Sequence, residues 1–358
     1  MRMFFLCFAL LAWLPAASAE EDTGSLWDVK LHKLRDDIYV AQIADPLNIM
    51  VMGNVTIIIN PRDVVLVDSG GSPVAARRII AAIRALTPKP VSAVIDTHWH
   101  GDHTLGNQEY VRAWPGVEII GRPETRAAML GDDIGYVKDI AKSIDSRRQH
   151  WDEVIADLRK KGDPADARVA DFLSRYFDHE IDITHREYQT VELTPPDLTF
   201  TGSLSLYRGT REIRVLHLGK GHTAGDIVVY LPQEKLVASG DLVVAPMPFG
   251  FTGALEINDT LDALAALDFD TLVPGHGAVQ AGKDYLHQLQ ALLKDVQGQV
   301  RPLVQQGLEP DEILKRLDLR AETDRFAGQD PVARYLFDLD FTQNYVQELY
   351  DELKPDGG

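Results

Sequence analysis

Between residues 38 and 95 the apolar residues form several short runs and, in one segment, recur at the spacing of a single helical face. Three runs rich in β-branched residues predict strands, at Ile38–Ile43, residues 54–59 and Val64–Val67. Residues 75–86 then carry isoleucines at the spacing of one helical face. A further apolar run, Val91–Ile95, predicts a buried strand. Strands that alternate with helices indicate an α/β domain.

Residues 122–188 interrupt this pattern with stretches whose apolar residues recur at helical spacing. They predict a helical insertion and not a separate domain, because strand signals resume after it. Amphipathic stripes mostly pack into a core, so we expect the insertion to cover a flank of the sheet. The alternative is that it forms one wall of a substrate cleft.

Strand signals return in the second half of the chain, at residues 198–200, 204–207, 213–218, 227–231, 236–239 and 272–273. From residue 285 onward the apolar spacing is helical, with breaks at Gly307, at Pro310 and near Gly328. We therefore predict one domain over residues 20–283 and a C-terminal helical extension over residues 284–358.

The first 19 residues have the layout of a secretory signal peptide. Arg2 is followed by the apolar residues 4–14 and by the small residues Ala17, Ser18 and Ala19. The apolar run is too short to span a membrane. We expect cleavage before Glu20, export across the inner membrane to the periplasm, and no stable membrane anchor.

Composition then limits the partners and the metal ligands. The only cysteine, Cys7, lies in the signal peptide, so any metal in the mature chain must be held by nitrogen and oxygen. Removal of Arg2 with that peptide leaves 35 basic residues against 54 acidic ones. The resulting charge of −19 disfavours nucleic acid and anionic membranes as partners. A small molecule is the expected substrate, and the oligomeric state stays open.

The segment from residue 98 to residue 103 concentrates metal-ligand chemistry. It contains His98, His100, Asp102 and His103. Imidazole and carboxylate are the groups that hold zinc-like ions in hydrolytic sites. The segment follows the predicted strand Val91–Ile95, and a loop that leaves a strand exposes its side chains on a rigid scaffold.

Three later residues have the same placement at strand ends. His222 lies in a glycine-rich turn after one strand, and Asp241 and His276 each follow another. In a layered α/β fold such ends can converge on one rim, where ligands bind. The sequence therefore predicts a metal site at this rim.

With these motifs the chain resembles the metallo-β-lactamase superfamily. The matching motifs are His98-x-His100-x-Asp102-His103, then His222, Asp241 and His276, with Asp68 at an earlier strand end. The resemblance covers most of residues 36–280. It implies an α/β fold, the four-layer αββα metallo-β-lactamase sandwich, here with a helical insertion and C-terminal helices.

The same resemblance implies two divalent metal ions, for which zinc is the expected element. The implied ligands are His98, His100 and His222 for one ion, Asp102, His103 and His276 for the other, and Asp241 as a bridge between them. Asp68 is expected to orient ligands by hydrogen bonds, although strand-end acids also cap turns.

Two ions roughly 3.5–4 Å apart can lower the pKa of one water and polarise a scissile carbonyl or phosphoryl oxygen. Asp102 is the expected catalytic residue, because its carboxylate can orient the hydroxide or pass its proton onward. The lead hypothesis is an exported zinc hydrolase that opens a small ester, lactone, thioester or β-lactam carbonyl.

Other functions remain open. Asp241 stands where one subclass of true β-lactamases has a zinc-binding cysteine, which argues against that subclass but leaves lactam hydrolysis possible. A phosphodiesterase or a sulfatase-like hydrolase uses the same ions, and a basic clamp for its substrate would favour it. Lys220 is the obvious cation in the motifs, as a substrate contact or as a solvated turn residue. A non-catalytic metal-binding or redox-cofactor-pathway protein is the remaining class.

The remaining histidines and the surroundings of the site receive weaker interpretations. We expect structural or surface roles for His32, His150, His179, His185, His217 and His287. Candidate substrate walls are residues 50–52, Trp99, residues 246–251 and Asn258. The apolar run 246–251 serves equally well as a lip of the cleft or as a buried loop anchor.

Overall fold

The strands form two sheets, and helices pack on one face of each sheet. The computed structural model describes residues 29–43, 52–131 and 135–354. The predicted signal peptide with Cys7 lies outside these residues, as do residues 50 and 51 of the candidate substrate wall.

The first sheet joins seven of the described strands in the order of the chain: β1 Val29–Arg35, β2 Ile38–Ile43, β3 Val55–Ile59, β4 Val64–Val67, β5 Val91–Ile95, β6 Glu118–Gly121 and β7 Leu198–Thr199. The second sheet contains β8 Ser203–Arg208, β9 Arg211–Leu216, β10 Val228–Leu231, β11 Leu236–Ala238, β12 Thr271–Val273 and β13 Gln280–Ala281. Its strands also follow one another in the order of the chain.

The helices lie between and after these strands. They are α1 Pro73–Leu86, α2 Gly101–Thr104, α3 Asn107–Ala113, α4 Pro123–Leu130, α5 Gly135–Lys161, α6 Pro164–Tyr188, α7 Ile257–Ala265, α8 Asp284–Gln305, α9 Pro310–Leu314, α10 Arg320–Phe326, α11 Pro331–Leu336 and α12 Asn344–Leu353. A 3₁₀ turn spans Gly240–Leu242, and a π-helical segment spans Phe337–Gln343. None of the helices in the described ranges is long and apolar enough to cross a membrane.

Side chains from successive positions of one strand enter different cores. On β4, Val65 and Val67 face the second sheet, whereas Val64 and Leu66 pack against α1 and α3. This is the two-residue period of a strand that is buried on both faces. On the second sheet, Val228 belongs to the core beneath α7 and α8. The order of layers is helix, sheet, sheet, helix, which confirms the predicted α/β sandwich.

Strand direction brings several strand ends to one edge. In the first sheet β4, β5, β6 and β7 run parallel, and in the second sheet β11 and β12 run parallel. The carboxyl ends of parallel neighbours lie at the same edge of a sheet. Asp68 and the cluster from His98 follow β4 and β5, and Asp241 and His276 follow β11 and β12.

The insertion packs differently from our expectation. The described apolar side chains of α5 and α6, such as Leu158 and Leu173, form a cluster with Val332 and Leu336 of α11 and with Met247. No strand contributes to this described cluster, so the expected cover of a sheet flank is wrong for it. The apolar stripe gives the buried face of a helix but cannot identify its partner, which here comes from the far end of the chain.

The C-terminal helices contribute to the fourth layer. Leu286, Leu289 and Leu293 of α8 are buried in the same core as Val228 and Leu272 of the second sheet. The start of a helical extension at residue 284 coincides with the first residue of α8. The division into a domain and an extension at that point stays a prediction.

Candidate metal centre

Seven predicted ligands meet at the edge where the two sheets present their parallel strand ends. Their side chains form two groups, and within each group all ligand atoms lie within 4.8 Å of one another. The first group is His98, His100, His222 and Asp241, and the second is Asp102, His103, Asp241 and His276. Asp241 is the member that the two groups share. Whether these side chains bind metal stays a prediction.

The first group surrounds one oxygen of Asp241. The Nε2 atom of His222 lies 2.9 Å from Nδ1 of His100 and 3.5 Å from Oδ2 of Asp241. The Nε2 atom of His98 lies 3.9 Å from the same carboxylate oxygen. Three imidazole nitrogens and one carboxylate oxygen thus point to a common centre, which is the ligand set and number of a tetrahedral zinc site.

The second group contacts both oxygens of the shared carboxylate, since Nε2 of His276 lies 3.6 Å from Oδ2 of Asp241. The Nε2 atom of His103 lies 3.2 Å from Oδ1 of Asp241 and 3.2 Å from Nε2 of His276. His276 Nε2 is 2.9 Å from Oδ2 of Asp102. The side chain of Asp102 is 25% exposed, whereas those of His103 and His276 are buried. Asp102 is therefore the member of this group that a substrate can approach from solvent.

Hydrogen bonds to residues outside the ligand set fix the orientation of the imidazole rings. The Nδ1–H of His103 donates to Asp68 Oδ2 at 2.8 Å, which leaves Nε2 to face the centre. Asp68 in turn accepts hydrogen bonds from the backbone N–H and the hydroxyl of Thr97, at 2.7 and 3.0 Å. Asp68 thus lies where an orienting residue must lie.

His222 is held by a backbone group. Its Nδ1–H donates to the carbonyl of Gly250 at 2.9 Å, so that Nε2 faces the centre. Sequence reasoning assigned no such role to Gly250 or Thr97. Gly250 lies in the apolar run 246–251, which we considered a wall or an anchor. Its role could not be predicted, because every residue has a backbone carbonyl and the residue type does not show which one accepts a hydrogen bond.

Two buried atoms of the centre carry the argument for a cation. Among the described residues, Nε2 of His98 has no hydrogen-bond partner, and neither has Oδ1 of Asp241, which is 3.2 Å from Nε2 of His103 without the geometry of a hydrogen bond. A buried polar atom without a partner costs about 1–3 kcal/mol. Both atoms are ligand atoms of the two groups, and a divalent ion would satisfy them. The residues present therefore fit a metal.

The electrostatics of the second group favour positive charge. Burial alone would raise the pKa of Asp241, yet the imidazoles of His103 and His276 hold that pKa well below its ordinary value. Burial likewise opposes the charged form of His276, but Asp241 and Asp102 raise its pKa to about 9. The pocket thus combines buried carboxylates with a strong preference for a cationic neighbour.

Two imidazoles of the first group, those of His98 and His100, have lowered pKa values. Burial is the main cause that lowers the pKa of His100 to about 3, and the neighbouring His222 adds to it. Burial also holds the pKa of His98 well below the ordinary value. A neutral imidazole is the form that binds metal, so this group requires no loss of a proton from those two side chains.

Glycines allow the backbone to approach the ligands. A Cβ atom on Gly53 would overlap the ring of His103, and one on Gly275 would overlap Oδ1 of Asp241. Gly240, beside Asp241, has a φ of +52° and also lies against Thr97. Any side chain at these positions would displace a ligand or its support.

Two further buried acids, Asp96 and Asp226, were not assigned a role from the sequence. Asp226 accepts hydrogen bonds from the N–H and hydroxyl of Thr223, and so shapes the turn that carries His222. Its burial raises its pKa to about 6. Asp96 accepts from Asn107 at 2.9 Å, and burial raises its pKa well above the ordinary value.

The remaining histidines stay outside the two groups as far as their side chains are described. His217 donates from Nδ1 to the carbonyl of Asp226 at 2.8 Å, which makes it a support of the same turn. His32, His150 and His287 belong to neither group. The side chains of His179 and His185 lie outside the described part.

Aromatic rings flank the centre on both sides. The ring of Trp99 lies 4.3 Å from that of His100, and the ring of Phe249 lies 5.4 Å from that of His276. Both aromatic side chains are half-buried. Asn258 instead donates to Gln297 at 2.9 Å, and Lys220 lies 3.7 Å from Glu256. Trp99 and Phe249 are therefore the candidate walls of the substrate site.

We predict that Gly53→Ala weakens the binding of one of two zinc ions by at least about tenfold, because the new methyl overlaps His103, whose ring is tied to Asp68. Competition with a chromophoric chelator measures the affinities. The matched control is Gly298→Ala, since a Cβ atom there meets nothing within 4 Å. Unchanged affinities in Gly53→Ala would contradict this account of the site.

Comparison with known proteins identifies the family of the chain. The family model of the metallo-beta-lactamase superfamily matches residues 49–276. The linear primary-alkylsulfatase of Pseudomonas sp. (strain ATCC 19151) is 24% identical over 305 residues, which cover 81% of this chain and 53% of that protein. The chain thus spans about half the length of this relative.

Two β-lactamases are also similar. The metallo-beta-lactamase type 2 of Elizabethkingia meningoseptica is 23% identical over 235 residues, which cover 65% of this chain and 70% of that protein. The solved metallo-beta-lactamase from Pontibacter korlensis has a TM-score of 0.51 and 19% identity, covering 74% of this chain and 99% of that one. At this identity the structural likeness shows the fold alone. The family match, which spans more than half of the chain, shows that this protein belongs to the metallo-beta-lactamase superfamily of hydrolases.

Proposed function

We propose that this protein is an exported dinuclear zinc hydrolase that opens a small ester, lactone, thioester or β-lactam carbonyl. The observation that carries the proposal is the shared carboxylate of Asp241 between two groups of ligand atoms. Single-metal sites need one such group, whereas two groups joined by one carboxylate suit a pair of ions. A non-catalytic metal-binding protein has no need of this paired arrangement.

The chemistry follows from the ligand set and from Asp102. When bound, two zinc ions supply a water of lowered pKa and polarise the oxygen of the scissile group. The carboxylate of Asp102 orients the attacking water and accepts its proton, because it is the most solvent-accessible acid of the centre. Its pKa lies well below the ordinary value because His103 and His276 outweigh the effect of burial. It is therefore ionised at neutral pH.

The surroundings favour an uncharged scissile group with apolar substituents. Trp99 and Phe249 offer aromatic faces beside the ligands. Lys220, the obvious cation of the motifs, is exposed and lies near Glu256, which reduces its value as a clamp for an anion. A carbonyl substrate matches these walls better than a phosphodiester does.

A sulfatase is the second candidate. The similarity to the alkylsulfatase extends over 305 residues and so beyond the matched family region 49–276. An alkyl sulfate also has the apolar portion that Trp99 and Phe249 would contact. Against it stands the lack of a free cation among the described ligand motifs. A true β-lactamase is the further alternative within the carbonyl class.

We predict that native mass spectrometry of protein recovered from the periplasm gives the mass of residues 20–358 plus two divalent ions. The first part follows from the signal-peptide layout, and the second from the two ligand groups. A metal-free protein would refute the centre, and retention of residues 1–19 would refute the proposed export.

A substrate panel tests the type of reaction. The zinc-loaded protein is incubated with a β-lactam, a lactone, a thioester, a medium-chain alkyl sulfate and a phosphodiester. We expect the highest kcat/KM for one of the carbonyl substrates, and loss of that activity after treatment with a chelator. Sulfate release without any carbonyl cleavage would establish the sulfatase instead.

We predict that Asp102→Asn lowers kcat on the substrate found in that panel by about 10²–10⁴-fold, the range typical for loss of a general base. The amide keeps the size of the side chain, so the circular dichroism spectrum should be unchanged. Asp311→Asn, an exposed acid in α9, is the matched control and should keep full activity. Full turnover by Asp102→Asn would exclude the proposed role.

A further inference from the structure

The segment from residue 245 to residue 256, which we call the 245–256 loop, connects the 3₁₀ turn of Asp241 to helix α7. Its inner side contacts the metal centre. The carbonyl of Gly250 accepts the Nδ1–H of His222 at 2.9 Å, and the hydroxyl of Thr252 donates to the carbonyl of His222 at 3.1 Å. The position of this ligand therefore depends on the position of the loop.

The outer side of the same loop is held by the C-terminal helices. The hydroxyl of Tyr345, on α12, donates to the carbonyl of Ala254 at 3.0 Å. Gln297, on α8, donates to the same carbonyl at 2.6 Å and to the Tyr345 hydroxyl at 2.9 Å. The two carboxylate oxygens of Glu352 accept the N–H groups of Ala254 and Leu255, each at 2.9 Å.

Aromatic packing continues this connection to the ligand. The ring of Tyr345 is fully buried and lies 5.8 Å from that of Phe251, edge to face. Phe251 in turn lies 6.4 Å from the ring of His222 in the same arrangement. Helix α12 thus reaches His222 through one intervening side chain as well as through the backbone of the loop.

The start of α12 also limits the loop at Gly250. A Cβ atom on Gly250 would lie 3.0 Å from Cβ of Asn344, a spacing tighter than most real contacts. Asn344 donates to the carbonyl of Asp340 at 3.0 Å, within the π-helical segment Phe337–Gln343. Single π-turns are rare and often occur at functional sites. Here the π-helical segment ends where the loop carries the acceptor of His222.

We propose that the C-terminal helices α8 and α12 position His222 for metal binding through the 245–256 loop, with Tyr345 and Glu352 as positioning residues. The inference rests on the metal centre of the proposed function. Both residues lie beyond residue 276, the end of the region matched by the family model.

The physical reason is the tolerance of a metal site. Ligand atoms must be held within about 0.5 Å of their bound geometry by surrounding contacts. The 245–256 loop contains no helix or strand of its own, and its backbone N–H groups at Ala245 and Gly253 donate to the carbonyls of His276 and Gly221, beside the ligands. The bonds to Ala254 and Leu255 tie the same loop to the C-terminal helices.

The test compares two hydroxyl deletions on one helix, made in the full chain. Tyr345→Phe removes the bond to Ala254, whereas Tyr350→Phe removes a bond to Glu309, away from the loop. Zinc affinities of the metal-free proteins are measured by chelator competition, the Co²⁺ complexes by absorption spectroscopy, and stability by urea unfolding without metal. For Tyr345→Phe we expect one of two ions to bind about tenfold more weakly, with an altered Co²⁺ spectrum. Tyr350→Phe should match the parent.

A second variant keeps the proposal testable if Tyr345→Phe folds poorly. Glu352 is exposed, and Glu352→Gln retains one acceptor oxygen, so we expect a smaller loss of affinity for the same ion. A merely structural role would shift the urea midpoint and leave both affinities and the Co²⁺ spectrum as in the parent. That outcome overturns the inference. A parent protein that binds no ions overturns the metal centre itself, and the inference with it.

Discussion

The carboxylate of Asp241 is buried and belongs to both groups of ligand atoms. Nε2 atoms of His98, His222 and His276 lie within 3.9 Å of its Oδ2, and Nε2 of His103 lies 3.2 Å from its Oδ1. An ionised carboxylate is costly to bury unless charges or hydrogen-bond donors compensate it. Here compensation comes from His103 and His276, and a divalent cation, which the ligand set suits, would add to it. Because this one group belongs to both halves of the centre, a shift of Asp241 would disturb all the other ligands together.

Two features of the fold place this carboxylate among its neighbours: the direction of the strands and the close approach of the backbone to the ligands. β11 and β12 run parallel, so Asp241 and His276 leave the second sheet at the same edge. β4 and β5 do the same for Asp68 and the cluster that begins at His98. Gly53 and Gly275 have no Cβ atom, which lets the backbone approach His103 at the first edge and Asp241 at the second. The apolar core between the sheets thus holds the ligand side chains close together, although water would favour their separation.

Much of this could be predicted from the sequence, because the strands and the ligands are local signals. The runs Ile38–Ile43 and Val64–Val67 match β2 and β4, and the histidine-rich motifs name the side chains that converge. The missing parts are long-range. The short strand β6 lacks an apolar run of its own, the partner of α5 and α6 lies at α11, and the support of His222 is a backbone carbonyl. None of these leaves a pattern along the chain.

The ligand set cannot select a substrate, because the same ions serve carbonyl, phosphoryl and sulfuryl transfer. Selection must come from what surrounds the ions. In this chain the candidate walls are Trp99, beside His100, and Phe249, on the 245–256 loop. Hydrogen bonds connect this loop to α8 and α12. The same tie that orients His222 therefore also places one aromatic wall. The proposed positioning therefore predicts that a change in the C-terminal helices alters metal affinity and substrate preference together, because one loop both orients His222 and carries Phe249.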